Sequence, residues 1–329
     1  MHDLPAPSPL ARRLLEPAGW VSLEGLAAGW FQQTVVVRAA EAAGLAADTA
    51  FPGRVRGALE RALMAGASAE ALRGEPCPWD PPCAYDALVR EQGRIASGLP
   101  VPRPMVLRAE AAGRDLLVEL TLFGFACDWM PAAAEALSAA LAHGIAPPVR
   151  RAGAAPVVTT RAALAAHRPG APMAAPDTPG LTLTTRRVET AEGLPVPADA
   201  TAVELEFVTP ASLRGGADLR HGLAGFVGAL ANRVFGMARW QDAGVEADRR
   251  ALLAAADRIA VDTTALTHTT WRRGSAKQDR WLPMEGDHGP VLLQGPLHPL
   301  LPLLTIGTAL HAGARTTFGQ GAYRMRVVG

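Results

Sequence analysis

The chain has 329 residues, a formal net charge of +1 and 49% hydrophobic residues. That apolar content excludes global disorder, and the length allows one large domain or two of ordinary size. Near neutrality excludes a uniformly basic nucleic-acid binder but leaves room for a local basic groove.

Aromatic residues make up only 5% of the chain, so Leu, Val and Ala must fill the core. Lys277 is the only lysine, and the remaining positive charge is arginine, whose planar fork suits phosphate. An arginine-preferring composition accounts for that bias first, and the bias alone is no evidence of RNA binding. The three cysteines, Cys77, Cys83 and Cys127, do not form a secreted disulfide framework or a four-ligand zinc set. No metal or cofactor is expected. The N-terminus has no basic start followed by an apolar run, so no signal peptide is read there. The most apolar stretch, 291–310, is broken by Gly295, Pro296, Pro299 and Pro302. It cannot span a bilayer. The expected compartment is the cytoplasm.

Residues 1–18 are read as an N-terminal extension and 19–165 as a first domain. Within it, 32–38 (QQTVVVR) is β-branched and predicts a strand. Residues 54–65 place Val55, Leu59, Ala62 and Leu63 on one helical face. Residues 116–123 (LLVELTLF) predict the clearest strand of this half. Residues 131–143 predict a helix with Pro131 at its start and Gly144 after its end. A looser Ala/Pro/Gly-rich stretch, 147–180, carries Arg150, Arg151, Arg161 and Arg168 against Asp177. Residues 156–160 in it predict the last strand of the first half, and 166–180 reads as a linker.

The second domain is expected over 181–329. Residues 202–208 (AVELEFV) alternate as a strand ended by Thr209-Pro210. Residues 219–238 predict a long helix bearing Arg220 and Arg233. Strands are expected at 267–273 and 289–294, then a helix over 300–311 and a glycine-rich ending. Each half thus follows strand, helix, strands, helix, the order of a split βαββαβ unit. The expected fold class is α+β, two tandem ferredoxin-like (RRM-like) domains with a C-terminal glycine-rich loop.

That ending, HAGARTTFGQGAY over 311–323, is the sharpest motif. Gly313, Gly319 and Gly321 permit backbone angles other residues avoid, so the loop can turn several N–H groups onto one phosphate. Arg315, Thr316 and Thr317 add side-chain donors. An ordinary turn is the competing reading of Gly-x-Gly. The glycines follow a helix and precede a strand, which excludes a dinucleotide fingerprint, and no Gly-Lys-Ser/Thr of a triphosphate loop is present.

This ending resembles the glycine-rich signature of the CRISPR pre-crRNA-processing endoribonucleases, the sixth Cas family of the RAMP superfamily. Further stretches agree, in order. Phe51-Pro52-Gly53-Arg54-Val55-Arg56-Gly57 is similar to the family's Gly-x-x-Arg-Gly motif at the first helix. The stretch from Cys77 to Tyr85 (CPWDPPCAY) resembles its Cys…Cys-x-Tyr segment. Phe207-Val208-Thr209-Pro210 matches its strand-then-Thr-Pro opening of the second domain. Trp271-Arg272-Arg273-Gly274-Ser275-Ala276-Lys277-Gln278, with Glu285-Gly286 and Gly289 after it, is similar to its basic Arg-x-Ser-x-x-Gln segment. Together these span residues 51–323.

The resemblance implies two ferredoxin-like domains that bind a CRISPR repeat RNA and cut it without a metal. The ribose 2′-hydroxyl would attack the adjacent phosphate, leaving a 2′,3′-cyclic phosphate and a 5′-hydroxyl. Such a step needs a base, an acid and a cation for the phosphorane. Arg56, Arg233, Arg272, Arg273, Ser275, Gln278, Arg280, Gly313, Arg315, Thr316, Thr317, Gly319 and Gly321 are the expected RNA contacts. From 263 to 329 there are seven Arg/Lys against three Asp/Glu, consistent with a phosphate-binding surface.

The family often places a catalytic histidine near the first helix, and residues 3–142 here contain none. Of the eight histidines, His311 and His268 lie beside the motifs and are the acid/base candidates. Lys277 is the candidate phosphorane cation and Tyr323 a candidate donor. Ordinary readings stand beside each: a helix-terminal residue for His311, a surface strand residue for His268, a solvated lysine, a core tyrosine. A non-catalytic RAMP-type subunit holding RNA among other Cas effector subunits is the alternative function. No catalytic triad or metal set points to a small-molecule enzyme.

Overall fold

The structure is a computed structural model that describes residues 8–95, 98–143, 145, 180–213, 217–275 and 280–328. For 273–275 and 280–281 it describes the backbone alone. The chain opens with α1 (Pro9–Leu15), β1 (Gly19–Val21) and α2 (Leu23–Ala28). The first unit then runs β2 (Phe31–Ala39), α3 (Phe51–Met64), α4 (Ala69–Leu72), α5 (Ala84–Val89), β3 (Met105–Ala112), β4 (Asp115–Phe123), α6 (Met130–His143) and β5 (Leu183–Glu192). Its four strands are all antiparallel in the order β3-β4-β2-β5. That is the ferredoxin-like arrangement, the first and third strands of a βαββαβ unit central.

The residues explain the places. β2 buries Val35, Val36 and Val37 in succession, with β4 and β5 paired along its two edges. β4 buries Leu116, Val118, Leu120 and Leu122 at alternate positions, the period of a strand with one core face. α3, with Pro52 in its first turn, buries Phe51, Val55, Leu59 and Leu63. The alanine-rich α6 packs alongside it.

β5, Leu183–Glu192, falls within the span expected of the second domain, yet it pairs along β2 and completes the first sheet. Its residues are exposed on both faces, so no apolar alternation marks it and the ladder to β2 holds it in place. The strand expected at 156–160 and the linker expected at 166–180 lie outside the described residues, apart from Gly180.

The second unit runs β6 (Ala202–Ala211), α7 (Ala224–Met237), β7 (Ala243–Val245), α8 (Arg249–Ala256), β8 (Ala260–Asp262), β9 (Thr267–Ser275), β10 (Arg280–Gln294), α9 (Leu301–Leu310) and β11 (Tyr323–Val327). Its order, β11-β6-β10-β8, repeats that of the first sheet, with β9 added as a hairpin arm against the first half of β10. The helix expected over 219–238 is shorter. Leu219–His221 forms a separate turn capped by Asp218, and Gly222 at φ 106° breaks the path before α7.

The two units share one continuous core. β1 pairs parallel with β7. Trp240 Nε1–H donates to the Pro102 carbonyl at 2.9 Å. The Gln241 side chain accepts from the Phe31 N–H and donates to its carbonyl, at 3.1 and 2.9 Å. Among the described residues no helix is long and apolar enough to cross a membrane.

Candidate nucleic-acid interface

The end of β6 joins the two motifs. Gly321 N–H donates to the Pro210 carbonyl at 3.0 Å, Ala322 N–H to Thr209 Oγ1 at 2.9 Å, and Ala314 N–H to the Ser212 carbonyl at 3.0 Å. On the other side of the same segment lies the β9–β10 hairpin. A Cβ built on Gly286 would stand 2.9 Å from Pro210 Cβ. The Thr-Pro segment is therefore the floor on which the glycine-rich loop and the basic hairpin meet.

Part of the loop expected to cradle phosphate is already engaged by protein. The amides of Ala312, Ala314, Phe318, Gly319, Gly321 and Ala322 are spent on protein acceptors. The glycines also serve packing. Gly321 has φ 72°, and a Cβ there would fall 1.7 Å from the Ala312 carbonyl oxygen. Gly319 sits against Pro52 at the start of α3, so the loop is wedged between the units. Thr316 is buried. Gly313, Arg315 and Thr317 are half-buried, with Arg315 in the left-handed region at φ 64°. Arg56 is buried beneath the loop, paired with Glu60 at 2.8 Å, its guanidinium 4.6 Å from the centre of the Phe318 ring. It is a strut between the units and not an exposed phosphate contact.

His311 ends α9 at φ 62° and is 5% exposed. Burial, with the nearby Arg233 and Arg108 guanidinium groups, pushes its pKa down to about 3. The ring is neutral at physiological pH and enclosed. Arg233 donates through Nε to the Leu310 carbonyl at 2.9 Å, and burial lowers its pKa to about 10. Tyr323 is also in the core: its hydroxyl donates to the Leu304 carbonyl at 2.6 Å, its ring meets Phe207 and Phe226, and burial drives the phenol pKa up. Neither side chain lies where solvent-borne RNA would meet it.

His268 has the opposite setting. It lies on β9 directly across from Asp287 on β10. Its Nδ1 is 3.1 Å from Asp287 Oδ1, while the ring is 53% exposed. Asp287 is only 13% exposed, and Arg220 grips it with both guanidinium ends, Nη2 to Oδ1 at 2.8 Å and Nη1 to Oδ2 at 3.1 Å. These contacts hold the Asp287 carboxyl below the usual range, Arg220 contributing most. Arg220 also reaches Asp218 at 3.3 Å.

Strand periodicity sets the rest of the hairpin face. His268, Thr270 and Arg272 are exposed at alternate positions of β9, opposite Asp287, Glu285 and Pro283, while Met284 between them is buried. Arg272 lies four residues from His268 on that face, about 13 Å along the strand. Arg273 and Ser275 pair with Leu282 and Arg280 toward the tip. Lys277 and Gln278 lie outside the described residues. The structure thus brings His268 and Arg272 onto one exposed face and separates them from His311 and Tyr323. Sequence reading did not find Asp287 or the role of Arg220. Asp287 is nineteen positions from His268, and only the hairpin register joins them. Among the described residues no group of three His, Cys, Asp or Glu side chains could hold a metal ion.

Together the fold and this face define an α+β protein of two ferredoxin-like halves, with a basic, histidine-bearing hairpin standing out from the second. A family model described as AF_1859_N, N-terminal domain, matches residues 33–166. No curated protein matches the sequence significantly. Among solved structures, the chain is similar to a Cas6 product complex (TTHB231) at 16% identity and TM-score 0.47, covering 90% of this chain and 99% of that one. A second Cas6 product complex (TTHA0078) gives 14% identity and TM-score 0.48 with the same coverage. Cas6 of Thermus thermophilus (TTHB231) gives 12% and 0.45, again over 90% and 99%.

Proposed function

We propose that the chain binds CRISPR repeat RNA along the exposed face of the β9–β10 hairpin and cleaves it by attack of a ribose 2′-hydroxyl on the adjacent phosphate. The observation that carries this reading is the exposed His268 held by a half-buried carboxylate on the segment that resembles the family's basic motif. A histidine fixed through Nδ1 presents Nε2 as a proton acceptor near neutral pH. Arg272, about 13 Å along the strand, is too far to touch the same phosphate and grips a flanking one. Lys277 supplies the cation for the phosphorane. Arg273, Ser275, Gln278 and Arg280 bind the RNA strand beside it. The glycine-rich loop, with Arg233, fixes the floor beneath. The products are a 2′,3′-cyclic phosphate and a 5′-hydroxyl, and no metal is required.

A second reading is a non-catalytic RNA-holding subunit. The burial of His311 and Tyr323 and the lack of a histidine near α3 favour it. Incubating the purified chain with its genomic repeat RNA in EDTA separates the two. Cleavage that leaves a cyclic phosphate supports the enzyme. Intact RNA bound tightly supports the scaffold, and cleavage that needs a divalent ion contradicts the proposed chemistry.

A further inference from the structure

We infer that Asp287 and Arg220 form a two-step relay that fixes His268 in one tautomer and one orientation. This rests on the reading of His268 as the base. The two partners are positioning residues: neither needs to touch RNA, and both act through the imidazole.

The geometry is layered from solvent inward. His268 is the outer group, Asp287 the sheltered middle, and Arg220 the clamp. A neutral imidazole carries one proton, and the hydrogen bond at one nitrogen decides which nitrogen holds it. Asp287, held ionised by the Arg220 fork, is acceptor-only, so it takes the proton-bearing Nδ1–H of His268. The lone pair is then on Nε2, which makes no hydrogen bond to the described residues, on a ring that is 53% exposed. That is the atom able to take the 2′ proton. On transfer, Nε2 gains the 2′ proton, the 2′ oxygen keeps the electron pair and bonds to phosphorus as the bond from phosphorus to the 5′ oxygen breaks, and the leaving 5′ oxygen takes its proton from water; the new imidazolium lies 3.1 Å from the carboxylate that stabilises it.

The clamp also has a structural reason to be arginine. It comes from the turn Leu219–His221, which belongs to neither hairpin strand, and its side chain spans from there to Asp287. Its two donors fix both carboxylate oxygens at once, which a single ammonium cannot do. Asp287 also faces Ala211 of β6 across the other side of β10, so the relay is anchored to the floor that holds the glycine-rich loop.

The test uses the full chain with ¹⁵N-labelled histidine and two readouts. In the free protein, the His268 ring nitrogens report the tautomer. With repeat RNA, single-turnover cleavage reports the rate, and equilibrium binding reports affinity. The relay predicts Nδ1–H for the wild type and a shift toward the Nε2–H form in Asp287→Ala. It also predicts a cleavage rate lowered by roughly ten- to hundredfold in that variant with unchanged RNA affinity. Arg220→Ala gives a smaller loss in the same direction, and Arg220→Lys restores only part of it. A His268 tautomer indifferent to Asp287→Ala overturns the relay. His268→Ala, made alongside, separates the two ideas. Cleavage surviving in it overturns His268 as the base, whereas lost cleavage there with an unchanged rate in Asp287→Ala overturns the relay alone. If Asp287→Ala fails to fold, Arg220→Ala carries the same two readouts, and an unchanged rate and ring in it contradict the clamp.

Discussion

The glycine-rich loop and the β9–β10 hairpin lie on the same short floor, Thr209 to Leu213, but have opposite characters. The loop is inward-facing: six of its amides are bonded to protein, its glycines admit backbone contacts, and its histidine is neutral and enclosed. The hairpin is outward-facing: its histidine is half in solvent and tied to a sheltered carboxylate. The difference teaches that a dense motif marks where the chain is most constrained, and constraint here comes from packing between two units. The chemistry proposed here falls beside it, on a less conspicuous strand.

Substitutions sharpen that contrast. The largest stability effect is expected at Gly321. Gly321→Ala forces a Cβ into the Ala312 carbonyl at a left-handed φ, and we expect a loss of about 3 kcal/mol or more by denaturant unfolding. A neutral result would mean that the loop is not the packed wedge described.

Acid is the next lever. His311 has a folded pKa of about 3, below its unfolded value of about 6.5. The unfolded chain therefore binds the proton first. Stability from this group is complete above about pH 6.5 and falls as pH drops toward 3, by more than about 1 kcal/mol per pH unit at the steepest. Thermal unfolding followed from pH 7 to 4 should show this fall, and His311→Asn should flatten it. A slope unchanged by that substitution would place the acid-sensitive group elsewhere.

The smallest effect is electrostatic and belongs to the hairpin. Arg272→Ala should weaken RNA binding and lower the slope of log affinity against log salt by roughly 0.7 to 0.9. An unchanged slope would remove Arg272 from the phosphate path.

Much of the fold could be read from the residues. The runs of 116–123 and 202–208 alternate cleanly, and the helices over 54–65 and 131–143 lie within a few residues of α3 and α6. β5 escaped because Thr184 to Glu192 are exposed on both faces, so nothing in their order tells a strand from a linker. The hairpin was half seen: 267–273 is strand, but 280–288 carries Pro283 and Gly286 and is strand through its pairing with β9, joined at Asp287 by β6. The loop was visible as a motif, yet the fate of its amides depends on Pro210 and Ser212, about a hundred residues away. His268 could be named from its neighbours in sequence, whereas its partnership with Asp287 and Arg220 required the register of two strands and the reach of a turn.

The central claim is that the hairpin does the chemistry and the loop holds it up. Single-turnover cleavage of the repeat RNA in EDTA by His268→Ala and His311→Asn, side by side, tests it most directly. The account predicts a fall of roughly 10²- to 10⁴-fold for His268→Ala and a change within a factor of a few for His311→Asn, with RNA affinity kept in both. Full activity in His268→Ala, or a collapse of the rate in a folded His311→Asn, would contradict it.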